Sequence, residues 1–458
     1  MYKINFQKPN HIHFIGIGGI SMSGLAEILM QQGFEVSGSD SQPSALTAEL
    51  ENKGATVIYK QAAANISKDI SCVVYTAAIS RKNPELIEAI AKKIPLLTRA
   101  ELLGQIMIHY QNAIAVAGTH GKTTTTSMIS HVLLAGDKDP TISVGGILPI
   151  IGGNIRVGQS DTFITEACEY TNSFLDFHPK IGIILNIEED HLDFFKDLED
   201  IRQSFRLFIK RIPPEGTVII NGQIDNYQEL FEGLPAKVIT YGLSRSFDYG
   251  AENITFNEEG HVSFDFFRYG QKIRHIQLSV TGEHNASNAL TALAIGDLLD
   301  INVDKVDEGL ASFIGTKRRF EYKGKINGVT IIDDYAHHPT EIRATLEAAR
   351  HYPHRELWVV FQPHTYTRTK VFFTEFARTL AAADHLILTD IYAARETDDL
   401  GVTSALLAEA AKEFGGDVHY YSSFTDIKNF VLENCAPGDL LITMGAGNIV
   451  NLGEELIK

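Results

Sequence analysis

The stretch "IAVAGTHGKTTTTSM", residues 114–128, decides the fold. An apolar run of strand type reaches Gly118, turns through Thr119, His120 and Gly121, and continues into Lys122, Thr123 and Thr124, where a helix is expected. Backbone N–H groups in such a turn surround phosphate oxygens, and the helix start adds partial positive charge. Lys122 then suits the β and γ phosphates, and the Thr123 hydroxyl suits magnesium. The usual loop has glycine five positions before Gly121, whereas this chain has Val116. The competing reading is a plain glycine turn into a helix, which leaves the Gly-Lys-Thr order without purpose.

Working outward, the same alternation of strand, turn and helix recurs twice. "HIHFIGIGGISMSGLAEILMQQGFEVSGSD" reads as strand, glycine turn, helix and second strand, and short strands follow at "ATVIY" and "SCVVYTAA". After the central stretch come "TFITEACEY", "KIGIILNIEEDHLDFF", and a run of strands with a Glu-Glu-Gly turn suited to a hairpin. A third start at "GVTIIDDYAHHPTEIRATLEAAR" leads to "ELWVVFQ", "HLILTD" and "DLLITMGAG", with Pro339 at the first helical turn. The expected fold class is α/β with mainly parallel sheets, in three domains: 1–108, 109–315 and 316–458.

Composition fits that division, because 458 residues exceed one ordinary domain. At 44% apolar and 21% charged, with no long apolar run, the chain reads as soluble, without membrane association, and cytoplasmic. Three scattered cysteines, Cys72, Cys168 and Cys435, form neither a disulfide framework nor a zinc motif. A net charge of −17 argues against nucleic acid as a partner.

Candidate ligand residues gather at strand ends. Glu166 closes "TFITE" on the sheet edge where α/β folds bind ligands, and offers an acidic magnesium ligand. The next such end, "NIEEDHLD", carries Asn186, Asp190 and His191, the histidine being either a second metal ligand or a partner for a carboxylate. Gly16, Gly18 and Gly19 form a partial dinucleotide fingerprint with Ser21 in place of the last glycine, and Asp40 stands where a ribose-binding acid is expected. That pattern indicates a diphosphate-bearing nucleotide and keeps an NAD-dependent oxidoreductase open. Lys317, Arg318 and Arg319 supply cation near the second junction, and His337, His338, His364 and Arg368 supply histidine and a bidentate donor for carboxylates.

Taken in order, the phosphate loop, Glu166, "NIEEDHLD", "GEHNASNA", "GTKRRFE" and "DDYAHHPTEI" resemble the Mur ligases of peptidoglycan synthesis over essentially the whole chain. The resemblance implies a Rossmann-like N-terminal domain for the UDP-sugar, a central ATPase domain and a Rossmann-like C-terminal domain for the amino acid. It also implies a loop without its first glycine, so Val116 is in place.

Within the family, "HFIGIGGISMSGLAEIL", "EACEYTNSFL", "FQPHTYTRT" and "DIYAARE" are similar to members that join L-alanine to UDP-N-acetylmuramate with ATP and Mg2+. A member that attaches a tripeptide during peptidoglycan recycling is the alternative. The resemblance implies ATP contacts from Gly118 to Thr124 and at His284, Asn285, Asn288, Arg319 and Asp334. It implies UDP-sugar contacts at Gly16, Gly18, Gly19, Ser21, Ser23 and Asp40, and substrate contacts at Tyr335, His337 and Arg368. Metal ligands are implied at Thr123, Glu166 and His191, and catalytic roles at Lys122, His191 and His337. Thr365 stands where some members have arginine, which leaves Arg368 as the carboxylate holder. A monomer or homodimer is expected.

Overall fold

A computed structural model describes every residue except Met1, Ala77, Ala78, Arg395 and Asp398. The last two positions of "SCVVYTAA" and the arginine of "DIYAARE" therefore lie outside the described residues. Contacts gather the chain into two compact units: Met1–Thr126, Leu133–Glu188 and Leu198–Ile239 in one, Ser127–Val132, Glu189–Asp197 and Thr240–Lys458 in the other.

In the first unit a five-stranded parallel sheet has the order Thr56–Ile58, Glu35–Ser39, His11–Ile15, Ile70–Tyr75, Leu96–Thr98. The order reverses at the first strand, where doubly wound sheets open a ligand crevice at the strands' carboxyl ends. The helix Ile20–Gln31 leaves from that point. Its Gly24 lies against Ile155, so close that an added Cβ would fall 1.6 Å from the Ile155 Cδ1. Gly24 thus lets the first helix approach the strand Gly153–Arg156 of a second sheet closely.

The same unit holds the strands Thr217–Asn221, Ile181–Ile184, Asn112–Ala117, Thr162–Ala167, Thr141–Leu148 and Gly153–Arg156, neighbours in that order. All pair in parallel except the last, which folds back antiparallel. Ala113 to Ala117 are fully buried between strands on both sides, as a continuous apolar run in a parallel sheet should be. Val116 pairs with Ile183 on one side and Glu166 on the other, so a branched side chain at this position continues the sheet.

In the second unit, Tyr249–Phe256, His261–Arg268 and Gln271–Thr281 form an antiparallel meander, its first turn closed at Gly260 with φ +77°. The expected Glu-Glu-Gly hairpin is present. The C-terminal sheet runs Glu321–Ile326, Val329–Asp334, Leu440–Met444, Leu357–Phe361, His385–Leu388, Asp417–Tyr420, antiparallel only at its first pair. Apolar clusters pack both faces, one around Phe361, Phe376 and Leu388 and the other around Trp358, Ile387 and Leu441. Pro339 opens the helix Pro339–His351, with the His338 side chain capping Thr340 N. Among the described residues no helix is long and apolar enough to cross a membrane.

Candidate active site

The phosphate loop starts from the strand Asn112–Ala117 and feeds the helix Lys122–Ala135. Gly118 (φ +151°) and Gly121 (φ +82°) hold conformations that side chains rarely adopt. A Cβ at Gly118 would also meet the Leu185 Cβ at 2.9 Å. Asn186 fixes the turn from the neighbouring strand end: its Oδ1 accepts from His120 N at 2.7 Å, its Nδ2 donates to His120 O at 3.1 Å, and its carbonyl accepts from Thr119 N at 3.2 Å. Thr119 Oγ1 accepts from Glu188 N at 2.9 Å. "NIE" thus belongs to the loop as its frame, a role that strand-end polarity alone did not reveal.

Lys122 donates to Gly118 O, to Thr119 O at 3.0 Å and to Glu169 Oε2 at 3.0 Å. Burial alone would lower its pKa, but the buried Glu169 outweighs this and holds the ammonium charged, above its ordinary value. One strand over, Glu166 accepts from Gly145 N at 2.5 Å. Gly145 is glycine for room, since a Cβ there would lie 3.1 Å from both Glu166 oxygens. Thr123, in the first turn of the helix Lys122–Ala135, and Glu166 each offer hard oxygen of the kind magnesium takes.

At the N-terminal sheet edge, Gly16 N and Ile17 N both donate to Ser39 O, at 2.8 and 3.0 Å, and Asp40 Oδ2 accepts from Gly18 N at 2.9 Å. Asp40 Oδ1 accepts from Ser41 N at 2.7 Å, so this carboxylate shapes the glycine turn. Gly19 caps the first helix; Ser21 is half-buried, and Ser23 is buried with its hydroxyl donating to Ile20 O.

The second unit brings together a cluster at the carboxyl edge of its parallel strands. Arg368 donates to Asp190 Oδ1 from Nε at 3.2 Å and Nη2 at 2.9 Å, and its Nη1 lies 3.3 Å from His364 Nδ1. Burial would raise Asp190, yet Arg368, His191, His337 and His338 together hold it well below the usual carboxylate range. His337 lies between Tyr335 and His364, with ring centroids at 5.3 and 5.8 Å. His191 has φ +52°, and its N–H donates to Asp190 Oδ1. Glu189–Asp197 therefore groups with the C-terminal residues, although the strand pattern set it within 109–315. Thr365 takes φ +66° as the cap of the helix Tyr366–Val371, a backbone role in place of an arginine contact.

Arg318 and Arg319 place their guanidinium carbons 4.8 and 4.9 Å from the Tyr335 ring centroid. Asp334 is buried, which pushes its carboxyl up to about 6 against the field of Arg319. Its two oxygens accept from Phe320 N and Ala336 N at 2.8 and 2.7 Å. On the helix Glu283–Leu298, Asn285 donates to Thr281 O and Asn288 donates to Asn285 Oδ1, while His284 is exposed beside them.

Comparison with known proteins follows this geometry. The Mur ligase family catalytic domain matches residues 11–111, the Mur ligase middle domain 116–296, and the Mur ligase glutamate ligase domain 318–447. A UDP-N-acetylmuramate--L-alanine ligase of Agathobacter rectalis is 59% identical over 458 residues, covering 100% of both chains. One of Lachnospira eligens is 57% identical, again over 100% of both. Among solved structures, the UDP-N-acetylmuramate-alanine ligase of Thermotoga maritima superposes with a TM-score of 0.80 at 27% identity over 98% of each chain. A murein peptide ligase of Psychrobacter arcticus gives 0.68 at 25% identity over 98% of each.

Proposed function

The chain belongs to the Mur ligase family, and from that premise we infer the ATP-dependent ligation of L-alanine to UDP-N-acetylmuramate in peptidoglycan synthesis. The observation that carries the substrate pair is full-length identity of 59% to a ligase of that name. The tripeptide-joining alternative has the weaker structural likeness, 0.68 against 0.80. An oxidoreductase leaves Lys122, Thr123 and Glu166 without purpose.

The chemistry assigns the residues. An amide cannot form directly from a carboxylate, because oxide is too poor a leaving group. The muramyl carboxylate attacks the γ-phosphorus of ATP and ADP departs; the alanine amine then attacks the acyl carbon and phosphate leaves. Lys122, fixed beside the loop, stabilises charge on the transferred group, and the N–H groups of Gly118 to Thr124 orient the phosphates. Thr123 and Glu166 would hold magnesium, with His191 on a second ion; the metal, when bound, neutralises phosphate charge.

His284, Asn285 and Asn288 receive the adenine side, and Arg319 the nucleotide. Asp334, with both oxygens on backbone N–H groups, sets the turn into Tyr335. Gly16, Gly18, Gly19, Ser21, Ser23 and Asp40 form the turn for the UDP-sugar. Arg368 holds a carboxylate, with Tyr335 and His337 beside it. ATP use follows from family membership.

The test is phosphate release from enzyme, ATP and UDP-N-acetylmuramate with either L-alanine or the tripeptide. Alanine-dependent release is expected. Release with the tripeptide alone would replace this reading by the recycling one.

A further inference from the structure

Arg99 is a cation that the reaction as described does not use. It is the first residue of the helix Arg99–Met107, which starts directly at the carboxyl end of the strand Leu96–Thr98. That edge of the five-stranded sheet is also where Gly16 and Asp40 lie. Thr98 and Glu101 cap the helix reciprocally, Glu101 N to Thr98 Oγ1 at 3.2 Å and Thr98 N to Glu101 Oε2 at 2.6 Å. The Glu101 carboxylate is thereby committed to the cap.

Arg99 is half-buried, and among the described residues it has neither an ion pair nor a hydrogen bond. Burial lowers its pKa. A partly desolvated guanidinium without a counter-charge is costly, and its place at a helix N-terminus adds to the cost through the dipole. Arg99 therefore stands on the glycine-turn edge of the five-stranded sheet, in the unit that also holds the phosphate loop.

We propose that Arg99 binds an anionic group of UDP-N-acetylmuramate, its diphosphate or its carboxylate, where the substrate passes from the glycine turn to Lys122. Guanidinium suits both groups, since each presents two oxygens to its planar fork. The proposal rests on the functional reading above.

The test is titration calorimetry on the full chain, wild type against Arg99→Ala and Arg99→Lys, with UDP-N-acetylmuramate, UDP and a non-hydrolysable ATP analogue. Thermal melting without ligand accompanies it. In Arg99→Ala, affinity for UDP-N-acetylmuramate should fall roughly 10- to 100-fold, with partial recovery in Arg99→Lys. The ATP analogue should bind unchanged, and melting should be unchanged or raised. Loss of UDP affinity as well identifies the diphosphate as the partner; retained UDP affinity identifies the carboxylate. Unchanged UDP-N-acetylmuramate binding in both variants, an equal loss for the ATP analogue, or a lowered melting temperature would overturn the proposal. Failure of the wild type to bind UDP-N-acetylmuramate would instead remove the functional reading, and this inference with it.

Discussion

Two glycine turns in this chain have nearly the same backbone plan and differ in what surrounds them. At Gly16–Gly19 a strand turns into the helix Ile20–Gln31, and the Asp40 carboxylate accepts from Gly18 N. At Gly118–Gly121 a strand turns into the helix Lys122–Ala135, framed by the Asn186 amide, with the Lys122 cation bonded to the turn's carbonyls and to Glu169. Both present N–H groups at a helix start. The first supplies fixed dipoles, suited to holding a diphosphate; the second adds a cation held in place by Gly118 O, Thr119 O and Glu169, suited to stabilising a phosphoryl group in transfer. The helices differ likewise: the first buries Gly24 against Ile155, and the second buries Thr125, Thr126, Ser127, Ser130 and His131.

The sharpest way to break the comparison is Lys122→Ala. Ligation should fall by roughly 100- to 1,000-fold, while calorimetric affinity for UDP-N-acetylmuramate stays at the wild-type level. Loss of both would mean that the two turns do not divide the work.

The second helix can be probed through pH. His131 is buried against Phe313, with Nδ1 2.8 Å from Ser312 Oγ, and burial pushes its pKa down from 6.5 to about 4. The unfolded chain binds the proton more readily in that window. Stability from the neutral ring is therefore complete above pH 6.5 and lost as pH falls toward about 4. The loss is on the order of 3 kcal/mol. Denaturant titrations should show a steeper acid loss in wild type than in His131→Gln, and identical slopes would refute the assignment.

For the first helix, Gly24→Ala should cost about 1–3 kcal/mol by overpacking, and adding Ile155→Ala should recover most of it. Recovery measured by thermal melting would locate the strain at that contact; no recovery would place it elsewhere. The smallest effect is expected from Asp40→Asn. This should raise KM for UDP-N-acetylmuramate by a few-fold, about the loss of one charge-assisted hydrogen bond, and leave KM for ATP unchanged.

Much of this was legible in the sequence because local rules govern it. Glycines at positive φ between a strand and a helix mark both turns, and Glu166 was placeable because a parallel sheet puts its ligands at strand carboxyl ends. Val116 is understood only through its pairing with Ile183 and Glu166, which requires the strand order. Gly24 escaped notice because Ile155 is 131 residues away. Asn186 read as one polar residue among several; framing a loop from the neighbouring strand end is a tertiary fact. Glu189–Asp197 groups with the C-terminal residues through the Asp190–Arg368 pair, which no spacing along the chain reveals.

The central claim is that the second turn transfers a phosphoryl group onto the substrate's own carboxylate. It is tested most directly by supplying UDP-N-acetylmuramate with heavy oxygen in that carboxylate, together with ATP and L-alanine, and weighing the released phosphate by mass spectrometry. One labelled oxygen should appear in each phosphate, left there when the acyl–oxygen bond breaks. Unlabelled phosphate accompanying amide formation would contradict the account.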